Sequence, residues 1–453
     1  MNTKVDTPTK LLVRYISNMT FEDLPGNVVD QAKNCLIDLV GTALAGSATE
    51  IGRLVREHAD SCPSSNESTI LATGRKTNAL DAAFCNGIVG HVLELDDGNR
   101  FAMGHPGVVT IPAALATAEK VGATGKDLIL AIVCGYEVFG RLGRAMNPSH
   151  FNRGFHTTGT LGAMAASVAA SKILALDEKK MLNAFGIAGS MAAGISEFLS
   201  DGSMTKQIHA GRAAQNGVHS AQLAMQGFTG PHTVLEGKHG FFKALADSFD
   251  TNKVTEKLGT DHQISSTYFK RHASCRHSHA AVDATLEILR EKLDPQTINE
   301  VSVKTYSAAY DYTNINAVST PLSAKMSMAY CIAVTILQGR AGPQEFTEEA
   351  IQDKKTHQLM GKVKMSIDKE LDRLVPEKRG AIVEIMTDTG RFSSRVDLPK
   401  GEPENPLTKG EFEEKFRALA STSLTQKEIE EVLKMVSELE RLSDIDDLTR
   451  FFR

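Results

Sequence analysis

Residues 159–171 read Gly159-Thr-Leu-Gly-Ala-Met-Ala-Ala-Ser-Val-Ala-Ala-Ser171, and this stretch decides the fold. Ala, Gly and Ser surround single Leu, Met and Val residues, and no charged face is left for solvent. A helix of this kind must be buried, because its small side chains let neighbouring backbones approach from all sides. Residues 184–194 have the same character. Around them, residues 9–225 keep the helical period, as in Val28-Val-Asp-Gln-Ala-Lys-Asn-Cys-Leu-Ile-Asp-Leu-Val40 and Lys126-Asp-Leu-Ile-Leu-Ala-Ile-Val133. The spacing predicts a helical bundle with small-residue helices at its centre and the Lys/Glu-bearing N-terminal helices outside.

After Phe269 the texture changes. Glu300-Val-Ser-Val-Lys-Thr-Tyr306 alternates like a strand, and Ala381-Ile-Val-Glu-Ile-Met-Thr387 with Arg391-Phe-Ser-Ser-Arg-Val-Asp397 frames a hairpin around Asp388-Thr-Gly390. Helical patterns at 279–292 and 322–337 are placed to cover one face of that sheet. Lys400-Gly-Glu-Pro-Glu-Asn-Pro406 closes the region, and the charged tail 409–453 returns to helix. The expected fold is therefore mostly α: a large all-helical domain, residues 1–267 joined by C-terminal helices 405–453, plus a smaller α+β lid domain, 268–404. A chain of 453 residues is long enough for two cores and a cleft between them.

Composition narrows the functional classes. A formal charge of −5 provides no broad field for nucleic acid, so an anionic ligand must meet local cations. The segment Met-Asn-Thr-Lys-Val-Asp-Thr-Pro8 lacks an apolar signal core, and no run is long and apolar enough to span a bilayer; cytoplasmic residence without a membrane partner is the expectation. Cys35, Cys62, Cys85, Cys134, Cys275 and Cys331 contain no C-x-x-C pair, so buried thiols are expected rather than disulfides. No phosphate-binding G-x-x-x-x-G-K-[ST] motif is present.

Four segments concentrate groups suited to chemistry. Glu94-Leu-Asp96-Asp97-Gly-Asn-Arg-Phe-Ala-Met-Gly-His105-Pro-Gly places three carboxylates near an imidazole, the material of general acid/base catalysis or of a charged loop. Gly154-Phe-His156-Thr-Thr-Gly-Thr160 sets a histidine before a helix start whose amides suit an anion, or simply turns a loop. Lys206, His209 and Arg212 recur at intervals of three among Ala and Gly, and read as cations on one helical face for an anionic ligand or for the acidic loop. Tyr268-Phe-Lys270-Arg-His-Ala-Ser-Cys275-Arg-His277-Ser-His279 is denser in cations and imidazoles than an ordinary linker. Cys275, His277 and His279 are conceivable zinc ligands, Cys275 a nucleophile or packed thiol, and Tyr330 a cleft or core tyrosine.

In order and spacing these segments, with Gln226-Gly-Phe-Thr-Gly-Pro231 and residues 321–330, resemble the MmgE/PrpD family along nearly the whole chain. The resemblance implies enzymes like 2-methylcitrate dehydratase, cis-aconitate decarboxylase and iminodisuccinate epimerase, with no cofactor or metal, a homodimer, and an active site between the two domains. It assigns His105 and His156 as the active-site histidines, Lys206 as the helix-borne lysine and Lys270 as the lysine opening the lid, with Tyr330 in the site. Against the decarboxylase pattern Asp-x-Asp-Asp-Thr, Glu94 replaces the first aspartate and Gly98 the threonine, and Cys275 stands where a histidine is usual.

The expected mechanism follows. Lys206, Lys270 and Arg212 bind carboxylates of a small di- or tricarboxylic acid, in a site completed by Glu94, Cys275, His279 and Tyr330. One of His105 and His156 removes the proton beside a carboxylate while Asp97 orients an imidazole. A cofactor-independent dehydratase is the first reading and an iminodisuccinate-type epimerase the alternative. Behind them stand a decarboxylase, a zinc enzyme and a non-catalytic polycarboxylate binder.

Overall fold

The computed structural model describes residues 6–61 and 64–453; Cys62 and residues 1–5, which entered the sequence reading, lie outside them. The fold is mostly α with a smaller α+β part. At its centre is the helix Thr157–Ile173, buried at every residue from Thr157 to Ser171. It is surrounded by Thr205–Met225, Gly125–Met146, Gly107–Val121 and Glu178–Met191, which pack directly against its Ala and Gly residues. The helix Pro8–Asn18 stays outside, capped by the Thr7 hydroxyl and resting on Glu178–Met191. One hydrophobic core runs from Leu12 through Phe269 and takes in Phe412, Phe416, Val432 and Phe452 of the tail. The helix Lys409–Ala420 lies along Gly26–Ser47.

The α+β part is built on a four-stranded sheet in the order Val363–Ile367, Ile298–Thr305, Ala381–Thr387, Gly390–Val396. The first pair is parallel, with Val301 opposite Val363, and the other two are antiparallel. The Asp-Thr-Gly turn makes the last hairpin, with Thr387 opposite Gly390. Helices His279–Leu289 and Met328–Gln338 pack on this sheet and on each other. The pattern at 322–337 predicts one helix, yet there are two, Pro321–Met326 and Met328–Gln338. They part at Ser327, whose hydroxyl donates to the Ile315 carbonyl at 2.6 Å and accepts the Tyr330 amide at 3.2 Å. A serine that can cap a new helix competes with continuing the old one.

The acidic loop is held by both parts. Gly98–Asn99 pairs with Thr267–Tyr268 in a short antiparallel bridge. Val92, Leu93 and Leu95 pack in the second core with Ala281, Val301 and Tyr330. Glu94 and Asp96 turn the other way, Glu94 toward Lys206 of the helical domain and Lys270 at the start of the lid, and Asp96 toward His91, His105 and Lys270. Cys35, Cys85, Cys134, Cys275 and Cys331 are all buried. Among the described residues no single helix is long and apolar enough to cross a membrane; one pair, Gly26–Ser47 with Glu50–Ser61, matches by composition only across an 86° bend.

Candidate active site

His91 ends the helix Ala79–His91, and the chain turns straight into the acidic loop. Asp96 Oδ2 lies 2.9 Å from His91 Nδ1 and 3.3 Å from His105 Nδ1. His105 Nδ1 is also 2.6 Å from the carbonyl oxygen of Asp97. Two acceptors at Nδ1 fix the proton there and leave the lone pair on Nε2. Burial, reinforced by the Lys270 ammonium, pulls His105 down to about 3, so its ring is a neutral imidazole with one unprotonated nitrogen, in the wall of the pocket it lines. His156 stands just before Thr157–Ile173, its Nδ1 3.1 Å from His209 Nδ1, and stacks on His91 with centroids 5.9 Å apart. Burial and then the charges of its neighbours hold His156 well below the ordinary histidine range.

Glu94 adopts a left-handed backbone, φ 55°, and is buried between two ammonium groups. Its Oε1 accepts from Lys206 Nζ, and its Oε2 lies 3.4 Å from Lys270 Nζ, which is itself 3.8 Å from Asp96 Oδ1. Burial alone would raise Glu94, but Lys206 and Lys270 outweigh it and hold the carboxyl well below its usual range. A third lysine, Lys325, donates to the Val92 carbonyl at 2.9 Å and is pulled down to about 8 by burial.

Several sequence assignments change. Asp97 is expected to orient an imidazole; instead its carboxylate accepts from Tyr136 Oη and from the Gly107 amide at 3.0 Å, and only its backbone carbonyl touches His105. Asp96 holds the two imidazoles. Gly107 permits the arrangement, since a Cβ there would lie 2.7 Å from Asp97 Oδ1. Glu94 serves as counter-ion to the lysines rather than as a group open to a substrate carboxylate. Arg212 is exposed on Gln215: each step of three residues drifts 60° around a helix, so two steps carry it off the face of Lys206. Tyr330 is a core residue whose hydroxyl donates to the Glu345 carbonyl at 2.8 Å beside Phe346. His279 faces Arg276 at 3.0 Å, and His277 Nδ1 lies 2.5 Å from Tyr306 Oη, so Cys275, His277 and His279 do not converge as zinc ligands. Cys275 lines the pocket as a buried thiol with its pKa raised by burial.

Among the described residues, the only His/Cys/Asp/Glu ligand atoms that gather are those of His91, Asp96 and His105, within 4.8 Å of one another. The Lys270 ammonium beside Asp96 already supplies positive charge there, so the trio fits a divalent cation poorly. Gly98 is explained by Tyr268: a Cβ at position 98 would lie 2.3 Å from the tyrosine hydroxyl, so threonine and this tyrosine position exclude each other.

The pocket has a volume of about 70 Å³ and is lined by Glu94, His105, His156, Lys206, Tyr268 and Cys275 among others. It adjoins a chamber of about 1000 Å³, with Met103, His277, Tyr312 and Arg379 in both walls. Sequence reading missed His91, although it lies three residues before Glu94 at a helix end. It named His209 only as a cation on the Lys206 helix, not as the partner of His156, and it missed Arg379, which nothing in the local pattern marks.

Two variants check the corrections. Tyr330→Phe costs about 1 kcal/mol by stranding the Glu345 carbonyl, and it and Arg212→Ala leave turnover within about twofold; a tenfold loss in either would return that residue to the site. Burial and then the nearby Asp38 raise Asp97 to about 7. A carboxyl raised in this way stabilises the fold below about pH 4, and that contribution is lost as pH rises through 7. Asp97→Asn therefore removes a stability decline on the order of 4 kcal/mol between pH 4 and 8. Parallel denaturation curves for the two proteins across that range would refute the assignment.

Fold and site define a class: a two-part, mostly helical protein with paired neutral imidazoles and neutralised lysines in a buried pocket at the junction. Comparison with known proteins makes this particular. The MmgE/PrpD N-terminal domain matches residues 10–253 and the MmgE/PrpD C-terminal domain residues 272–441; the chain belongs to the MmgE/PrpD family. It is similar to the cis-aconitate decarboxylase of Homo sapiens, 28% identical over 98% of this chain and 94% of that protein. The cis-aconitate decarboxylase of Aspergillus terreus is 26% identical over 97% and 94%. The 2-methylcitrate dehydratase of Salmonella typhimurium is 23% identical over 85% and 83%. These relatives are lyases, and this chain is an enzyme of that type.

Proposed function

We propose that the protein is a cofactor-independent lyase that removes a proton next to a carboxylate of a small di- or tricarboxylic acid and expels water, as a dehydratase of the 2-methylcitrate type does. The observation that carries this reading is His105, whose Nδ1–H is held by Asp96 and the Asp97 carbonyl so that Nε2 presents a lone pair to the pocket. His105 takes the proton from carbon, the electron pair forms the C=C bond, and the departing hydroxyl takes a proton from His156, which acts as the imidazolium once the negative charge of the bound polycarboxylate has raised it and returns to the neutral ring, giving an alkene and water. The Thr157–Ile173 helix end beside His156 supports the developing enediolate. Two imidazoles, one to accept and one to donate, suit elimination better than carboxylate loss.

Decarboxylation is the second reading, supported by the whole-chain similarity to the cis-aconitate decarboxylases. Epimerisation would use the same two histidines. A homodimer and a cytoplasmic setting, both expected above, belong to the same proposal.

The deciding experiment incubates the protein with citrate, 2-methylcitrate and cis-aconitate in heavy water and follows products by NMR. New alkene signals from the hydroxy acids are expected. Carbon dioxide release from cis-aconitate would replace dehydration by decarboxylation, deuterium exchange alone would replace it by epimerisation, and no change in any would overturn the proposal.

A further inference from the structure

Three cations line the inner pocket: Lys206, Arg276 and Arg379. Two are already neutralised, Lys206 by Glu94 and Arg276 by Glu402, to which its Nε and Nη2 donate at 3.2 and 2.8 Å. Lys270, behind the pocket, is matched by Glu94 and Asp96. Arg379 alone among these has no carboxylate partner among the described residues. It is 6% exposed, and its one hydrogen bond runs from Nη2 to the Arg100 carbonyl. A guanidinium cannot give up its proton, so burying one without an anion is costly unless an anion arrives.

Its position says which anion. Arg379 stands in the wall common to the inner pocket and the outer chamber, with His277. The inner pocket has room for only a few water molecules, so an acid whose reacting carbon lies near His105 must extend its far end toward the chamber. We propose that Arg379 receives the substrate carboxylate remote from the reacting carbon, gripping it with its planar fork at the passage between the two cavities. The site would thereby select acids with well-separated carboxylates and reject monocarboxylates. This inference rests on the polycarboxylate reading above and adds the residue that measures carboxylate spacing.

The test is calorimetric binding of tricarballylate, a saturated tricarboxylate with no hydroxyl to lose, to the full-length protein. Arg379→Gln keeps an amide donor for the Arg100 carbonyl but removes the charge. It should bind roughly thirtyfold more weakly or worse, with KM raised more than kcat is lowered. Arg379→Lys, which keeps the charge without the fork, should fall between, and it also serves if the glutamine variant does not fold. Arg153→Gln, on the chamber rim and paired with Asp247 at 3.2 Å, should bind like the parent. Equal affinity in the parent and both Arg379 variants would overturn the assignment and leave the polycarboxylate reading standing. Failure of the parent to bind tricarballylate at all would overturn both.

Discussion

Replacing His105 with glutamine lowers turnover by two to four orders of magnitude while leaving the melting temperature nearly unchanged. The size follows from losing a positioned base, typically a factor of about 10²–10⁴. The small stability effect follows from geometry: His105 contributes hydrogen bonds at Nδ1, to the Asp97 carbonyl and Asp96, and glutamine retains an amide donor on a side chain of similar reach. The pH profile gives an independent check. Burial and Lys270 depress His105 to about 3, so the ring of the free enzyme stays unprotonated far below the ordinary histidine range. The acidic limb of kcat/KM, which reports free-enzyme groups, should therefore fall well below pH 6.5. So low a value makes a weak base in the empty pocket. An arriving polycarboxylate adds negative charge beside Lys206 and Lys270 and raises it, so the limb for kcat should lie at higher pH than the limb for kcat/KM. If His105→Gln keeps more than a tenth of parental turnover, the base lies elsewhere, and His156 is the next candidate.

What the sequence makes legible, and what it does not, divides along physical lines. The helix Thr157–Ile173 is readable because a run of Ala, Gly and Ser has no stable home except between other helices, and the 381–397 hairpin because period-two alternation brackets a turn. Candidate chemistry is readable in different signals, carboxylates crowded near His105, a helix start after His156, and clustered cations around Lys206 and Lys270, while the roles given to these residues come from the family resemblance. Direction within the site is not. Whether Asp96 or Asp97 faces the imidazoles depends on a two-residue bridge between Gly98–Asn99 and Thr267–Tyr268, formed across more than 160 residues of sequence. Spacing also misleads where it is only approximately periodic: Lys206 and His209 keep to one face, but Arg212 has rotated away. Arg379 carries no sequence signal at all, because an unpaired cation is defined by what is missing around it, and that is visible only once every neighbouring carboxylate has been placed.

Glu94→Gln separates a counter-ion from a substrate contact, and it should be the most destabilising change in the site. Glutamine has the same shape, so packing is preserved and only charge is lost. That loss leaves Lys206 without a carboxylate and Lys270 with only Asp96 at 3.8 Å, all buried. Breaking a buried pair by removing one partner costs about 3–5 kcal/mol, a loss that chemical denaturation at pH 7 would measure. Its pH dependence has a definite sign. The folded protein holds Glu94 below its ordinary range, so its contribution is complete above the unfolded carboxyl pKa near 4.3 and fades as pH falls through the folded value. The stability gap between parent and variant should accordingly be widest near neutrality and close in acid. Ligand binding then points the other way from stability. If Glu94 met the substrate, Glu94→Gln would weaken tricarballylate; as a counter-ion, its removal frees two ammonium groups, so affinity per folded molecule should hold or rise even as the fold weakens. A variant as stable as the parent at pH 7 would show that the two lysines do not depend on Glu94. Weaker tricarballylate binding by the folded variant would restore Glu94 as a contact.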